Sequence, residues 1–183
     1  MSSSSSEAEV AEEDWRIAKL FGVADKATPE EFAALLGEVG TKNAVVHGSM
    51  MLDPLVARSH FVVMALLDAD DGSLAECVEA RKDLLKAAVA AGGAGAGAAL
   101  VSAMESWVCT EVAVGHARET AITSFDKALR VLFEWDIVPE EDLRSWQADE
   151  RAARLLQVSR ADAIRIHERG RVFFEWVDRG EDE

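Results

Sequence analysis

An all-α fold, built as a stack of antiparallel helical hairpins, is the architecture this chain predicts, and three observations predict it. Helix starts are marked by capping boxes and by proline at first helical positions. Between those starts apolar residues recur at helical spacing, and no segment sustains the period-two alternation of a half-buried strand. At 183 residues and 49% hydrophobic, the chain is long enough for one buried core and too short to need two.

Residues 1–13 join a serine run to Glu7, Glu9, Glu12 and Glu13, with too few apolar side chains to offset the entropy of ordering. They are expected to form a disordered acidic tail ahead of a single helical domain over residues 14–183. Ser4 and Ser6 each precede a glutamate by three residues, a spacing that acidophilic kinases accept. An unmodified, solvated tail is the favoured reading.

Thr28-Pro-Glu-Glu31 is a capping box with proline at the first helical position, and Asp53-Pro54 opens the next helix in the same way. Leu55, Phe61 or Val62, Ala65 and Leu66 then share a helical face. Ser73-Leu-Ala-Glu76 is a second capping box, followed by Leu74, Val78, Leu84 or Leu85, and Val89 on one face. Gly92-Gly-Ala-Gly-Ala-Gly97 is expected to be a flexible loop, because glycine this dense favours the unfolded backbone. A phosphate-binding loop would need a strand before it, and residues 84–91 read as helix.

Beyond the glycines, Val101, Met104, Val108 and Val112 form one stripe, and Phe125, Leu129 and Leu132 the next. Ser159 with Asp162 opens the last helix, whose stripe is Ala163, Ile166, Gly170, Phe173 and Val177. Gly170 in that stripe permits close approach of a neighbouring helix. Helices of this length joined by short turns describe a stack of the HEAT kind, although no clean internal repeat is visible.

The formal net charge of −15, from 34 acidic and 19 basic side chains, repels phosphate backbones and attracts cationic segments. Nucleic acid is therefore not an expected partner, and the same charge disfavours self-association, so a monomer is expected. Two cysteines and no apolar signal region after the Met-Ser start point to a reducing, cytoplasmic setting. The longest weakly polar stretch, Ala87 to Val101, is shorter than the roughly 20 residues a membrane span needs.

Cys109 and His116, seven apart on one predicted helix, leave a zinc site two ligands short, and His47, His60 and His167 are scattered. No metal or cofactor is expected. The carboxylates lie in charged runs rather than isolated pairs, and serine nucleophile elbows, phosphate loops and HExxH pairs are absent. The chain is not expected to be an enzyme.

Two boxes near the C-terminal end carry the functional signal: Leu132-Phe-Glu-Trp-Asp-Ile-Val-Pro-Glu-Glu-Asp-Leu-Arg-Ser-Trp146 and Val172-Phe-Phe-Glu-Trp-Val-Asp-Arg-Gly-Glu-Asp-Glu183. Each joins bulky aromatics to clustered carboxylates. Spacing alone favours core packing over contact for Trp146 and Phe173 by about two to one. The acids Glu134, Asp136, Glu140, Glu141, Glu181, Asp182 and Glu183 are expected to attract lysine ammonium groups. Phe133, Trp146 and Trp176 are expected to supply apolar surface for the lysine stems.

These boxes resemble the aromatic/acidic boxes of the two-tryptophan, HEAT-like domain at the C-termini of eukaryotic translation initiation factor five, the epsilon subunit of initiation factor two-B, and scaffold relatives of factor four-G. Leu132 to Trp146 fits the first box without a gap, apart from Trp135, Pro139 and Asp142, and Val172 to Glu183 fits the second. Val158-Ser-Arg to Trp176, Leu100 to Val108 and Asp53-Pro-Leu-Val56 resemble the factor-five branch. The resemblance implies an assembly domain that binds the lysine-rich boxes of the beta subunit of initiation factor two. Initiation factors one and three, also partners of that branch, are supported by no specific residue here.

The chain departs from that branch in its glycine- and alanine-rich middle and in a thin basic stretch, represented by Arg81, Lys82 and Lys86. The zinc-ribbon module with its activating arginine has no counterpart, so GTPase activation is not implied. An epsilon-type domain that promotes nucleotide exchange is the first alternative. A helical scaffold outside translation is the second.

Overall fold

Helix starts follow the caps. The computed structural model describes residues 18–39, 45–46, 50–51, 54–68, 73–149 and 158–180. The expected acidic tail, Ser4, Ser6, His47 and the terminal Glu181, Asp182 and Glu183 lie outside them. The helices are α1 (residues 18–24), α2 (Pro29–Val39), α3 (Pro54–Leu66), α4 (Leu74–Ala80), α5 (Lys82–Gly92), α6 (Ala96–Thr110), α7 (His116–Thr123), α8 (Phe125–Glu134), α9 (Glu140–Ala148) and α10 (Arg160–Gly180).

Thr28 and Glu31 close a reciprocal box, with Glu31 N–H donating to Thr28 Oγ1 at 3.2 Å and Thr28 N–H to Glu31 Oε2 at 2.9 Å. Ser73 Oγ accepts from Glu76 N–H at 3.2 Å, and Ser159 Oγ from Asp162 N–H at 3.3 Å. The all-α class holds. Its one departure among the described residues is a two-residue antiparallel ladder, β1 (Val45–Val46) with β2 (Met50–Met51), pairing Val45 with Met51 and Val46 with Met50.

Two long helices are broken without glycine or proline. Arg81 separates α4 from α5 at φ −109° and ψ 13°, its N–H shared between the Cys77 and Val78 carbonyls. Ser124 separates α7 from α8 at nearly the same dihedrals, φ −107° and ψ 12°. Its hydroxyl donates back to Thr120 O at 2.6 Å, a competition with the helical ladder that bends helices.

Counting each broken pair as one helix, the helices from α2 onward each pack on the next but one. One layer runs α2, α4/α5, α7/α8, α10, and the other runs α3, α6, α9. This is the contact pattern of a helical-hairpin stack. At its centre lies α6, buried from Ala96 to Cys109 on all faces rather than along the one stripe the sequence suggests. A helix surrounded on every side needs small residues where neighbours press closest, and Ala96, Gly97, Ala98 and Ala99 supply them.

The glycine run is therefore not a flexible loop. Gly92 ends α5, Gly93 and Gly95 take left-handed φ of 77° and 78° in a three-residue turn, and Gly97 already lies inside α6. A Cβ at Gly97 would stand 2.7 Å from Val138 Cγ1 and 2.5 Å from Asp142 Oδ2, which accepts the Gly97 N–H at 3.0 Å.

Candidate functional site

The second box winds along α10, where helical spacing sends Phe173, Phe174 and Val177 inward and leaves Trp176 half-buried. Phe133, half-buried on α8, meets Phe173 edge-on at 5.9 Å and Trp176 at 6.2 Å between ring centroids. The Arg130 guanidinium lies 4.5 Å over the Trp176 ring. Beside them Arg144 covers Phe174 at 4.8 Å and binds Glu140 at 2.6 Å and Asp178 at 2.7 Å, tying α9 to α10. Phe133 and Trp176 are thus brought together at the surface, and Glu140 is partly spent on its own arginine.

Trp146 is a correction. Its ring is 1% exposed, so it supplies no surface to a lysine stem. It stacks on His167 at 4.6 Å and packs against Phe125 at 5.8 Å. Its Nε1–H donates to Glu105 Oε2 at 2.9 Å, and His167 Nε2 lies 3.1 and 3.2 Å from the two oxygens of the same carboxylate. Glu105, 0% exposed on the central helix, is the acid that makes an indole tolerable in the core, because a buried N–H needs an acceptor.

The α8–α9 turn builds the exposed part of the site. Helix α8 ends in a Schellman motif: Ile137 N–H donates to Leu132 O at 2.9 Å and Asp136 N–H to Phe133 O at 3.1 Å. Asp136 takes the left-handed position, φ 52°, that glycine usually fills. Ile137 and Leu132 are both buried, which supplies the apolar contact typical of this cap. Trp135, at the cap itself, is pushed off the buried face and is 45% exposed.

Trp135 is the residue that sequence reasoning missed, having been noted only as a departure from the family box. The signal was present: Leu132 and Trp135 are three apart, but the helix stops between them. Lys82 Nζ sits 4.7 Å over the Trp135 ring, and Lys86 Nζ donates to Trp135 O at 3.3 Å, satisfying a terminal carbonyl of α8. Glu134 and Asp136 precede and follow Trp135 in the chain, and Glu141 lies in the first turn of α9. All three carboxylates are exposed, and among the described residues none of them makes an ion pair.

Cys109 and His116 do not share a helix: Cys109 is buried in α6, and His116 opens α7, exposed. Among the described residues no group of three or more His, Cys, Asp or Glu could hold a metal ion, and no helix is long and apolar enough to cross a membrane. Burial, reinforced by the Glu105 and Asp162 carboxylates, pushes the Cys109 thiol up to about 12. An unfolded thiol ionises first, so this group lowers folding stability as pH rises between 9.0 and about 12. At pH 8 iodoacetamide is expected to leave Cys109 unmodified in the folded protein and to alkylate it in urea, as read by peptide mass spectrometry. Equal labelling in both states would show that α6 is open to solvent.

Comparison with models of protein families, with curated proteins and with solved structures finds no match.

Proposed function

We propose that this chain is a protein-binding assembly domain of translation initiation that docks a lysine-rich segment, of the kind carried by initiation factor two beta. The observation that supports it best is the occurrence of exposed carboxylates and exposed aromatic surface in one segment: Glu134, Trp135 and Asp136 at the end of α8 and Glu141 in the first turn of α9, with Phe133 half-buried on α8 against Trp176 of α10. Ammonium groups gain from the acids and from the ring faces, while lysine stems cover the aromatic edges. The net charge of −15 adds long-range attraction for a basic partner. Resemblance of residues 132–146 and 172–183 to aromatic/acidic boxes supports the choice of factor two beta.

Calorimetric titration tests this with a lysine-box peptide and a scrambled peptide of equal charge, at low and physiological salt. The native peptide is expected to bind more tightly, with the preference surviving physiological salt while overall affinity falls. Glu134→Lys with Glu141→Lys is expected to weaken binding about tenfold or more, since two surface attractions become repulsions. The melting temperature should stay nearly unchanged, because both side chains are exposed and make no ion pair among the described residues. Equal binding of both peptides that vanishes with salt would leave the acids as a solvated face and defeat the proposal.

A further inference from the structure

The Trp135 ring already holds a lysine, and it belongs to this chain. Lys82 opens α5, and Lys86 follows one turn later on the same face, so helical spacing presents both ammonium groups to the α8–α9 turn. Lys82 takes the ring at 4.7 Å, and Lys86 takes the backbone carbonyl beneath it at 3.3 Å. Glu134 and Asp136, the chain neighbours of Trp135, remain exposed.

We infer that Lys82 is a built-in competitor for the Trp135 subsite, which takes a partner lysine only when the Lys82 ammonium swings off the ring. The inference rests on the docking function proposed above and specifies how that surface is regulated. Lysine is the occupant, because the ring is already paired with that chemistry and its free neighbours are carboxylates. An acidic segment would be repelled by those carboxylates, and a neutral one would gain from the ring alone. Lys86 differs from Lys82 in role: it caps a helix terminus and holds the turn, so displacement involves Lys82 alone.

A contact of this kind at an exposed site corresponds to about a two- to fivefold change in affinity. Lys82→Met is therefore expected to tighten binding of the lysine-box peptide by that factor, and Trp135→Leu to weaken it. Removing a positive charge near acids would also tighten binding, so the double variant decides the matter. In Lys82→Met with Trp135→Leu the gain should disappear, because no ring remains to be freed. A gain that persists in the double variant is a net-charge effect and overturns the inference.

A second measurement does not depend on peptide. With lysines dimethylated using carbon-13, which keeps their charge, the Lys82 methyl signal should be shifted upfield by the ring current. It should return to the ordinary lysine position in Trp135→Leu and in the peptide complex. An unshifted Lys82 signal in the free protein, or a shifted one that stays put while peptide binds, overturns the competitor while leaving docking intact. Failure of every variant to prefer the native over the scrambled peptide would defeat docking, and the competitor with it, whatever the Lys82 signal shows.

Discussion

Trp146→Ala is expected to leave the chain unfolded or molten at room temperature. Truncating a fully buried tryptophan costs about 3–5 kcal/mol through lost transfer energy and the cavity that remains. The buried Glu105 carboxylate would also lose its indole donor, which costs about 1–3 kcal/mol more. Domains of this size are stable by about 5–15 kcal/mol, so the loss takes much of the total. Urea denaturation followed by far- and near-UV circular dichroism checks it. Trp146→Phe divides the two contributions, since it keeps most of the volume against Phe125 and His167 but removes the N–H. It should fold, less stable by about 1–3 kcal/mol. A well-folded Trp146→Ala protein that has lost peptide binding would contradict the burial described here.

Gly170→Ala sets two effects of opposite sign against each other. Alanine is the better helix former by about 1 kcal/mol, and at Gly37 in α2, where no atom of the described residues outside the local helix backbone lies within 4 Å of an added Cβ, the same change should raise the melting temperature. At Gly170 the added carbon would overlap Gln147 Oε1 and stand 2.9 Å from Trp146 Cζ3. Gln147 is held by its amide's bond to His167 O at 3.0 Å, and Trp146 by its stack and its carboxylate, so neither yields freely. Overpacking of this kind costs about 1–3 kcal/mol, which exceeds the propensity gain or cancels it. Gly97→Ala should behave alike, because α6 is pressed there by Val138 and by Asp142 of α9. Thermal melts of the three alanine variants read the outcome: Gly37→Ala up, Gly97→Ala and Gly170→Ala down. A rise at Gly170 would mean that α9 and α10 stand further apart than described.

Much of the fold was legible because its punctuation is local. Thr28, Ser73 and Ser159 announce their helices through hydrogen bonds that reach only three residues ahead, and the sequence shows both ends of each. The breaks at Arg81 and Ser124 were not legible, since neither residue is a helix breaker and the bend at Ser124 depends on which way one hydroxyl points. The glycine run was misjudged for a related reason. Propensity prices a glycine by what it costs the helix alone, whereas Gly97 is set by Val138 and Asp142, more than forty residues away in the chain.

The site was legible in composition but not in orientation. Trp135 and Trp146 share one box, and each lies three residues after a buried leucine, Leu132 or Leu143. Spacing alone would put both on the inner face. What separates them is that α8 ends at Glu134 while α9 continues through Ala148. The buried partner of Trp146 was equally hidden, because Glu105 stands 41 residues earlier in a helix whose apolar stripe drew attention to its other residues.

The Schellman turn at Asp136 has a thermodynamic meaning for recognition. A surface loop that must be ordered on association loses conformational entropy at that moment, about 0.5–1.5 kcal/mol for each immobilised flexible side chain. Here the backbone beneath Trp135 is closed by its own hydrogen bonds and anchored by Ile137 and Val138 in the core, so that entropy is surrendered during folding. An incoming chain meets a ring already aimed outward, with the Lys82 side chain the group to be displaced from it. Association should then proceed as a nearly rigid encounter whose rate is set by charge and collision, with the unbound partner supplying most of the disorder lost.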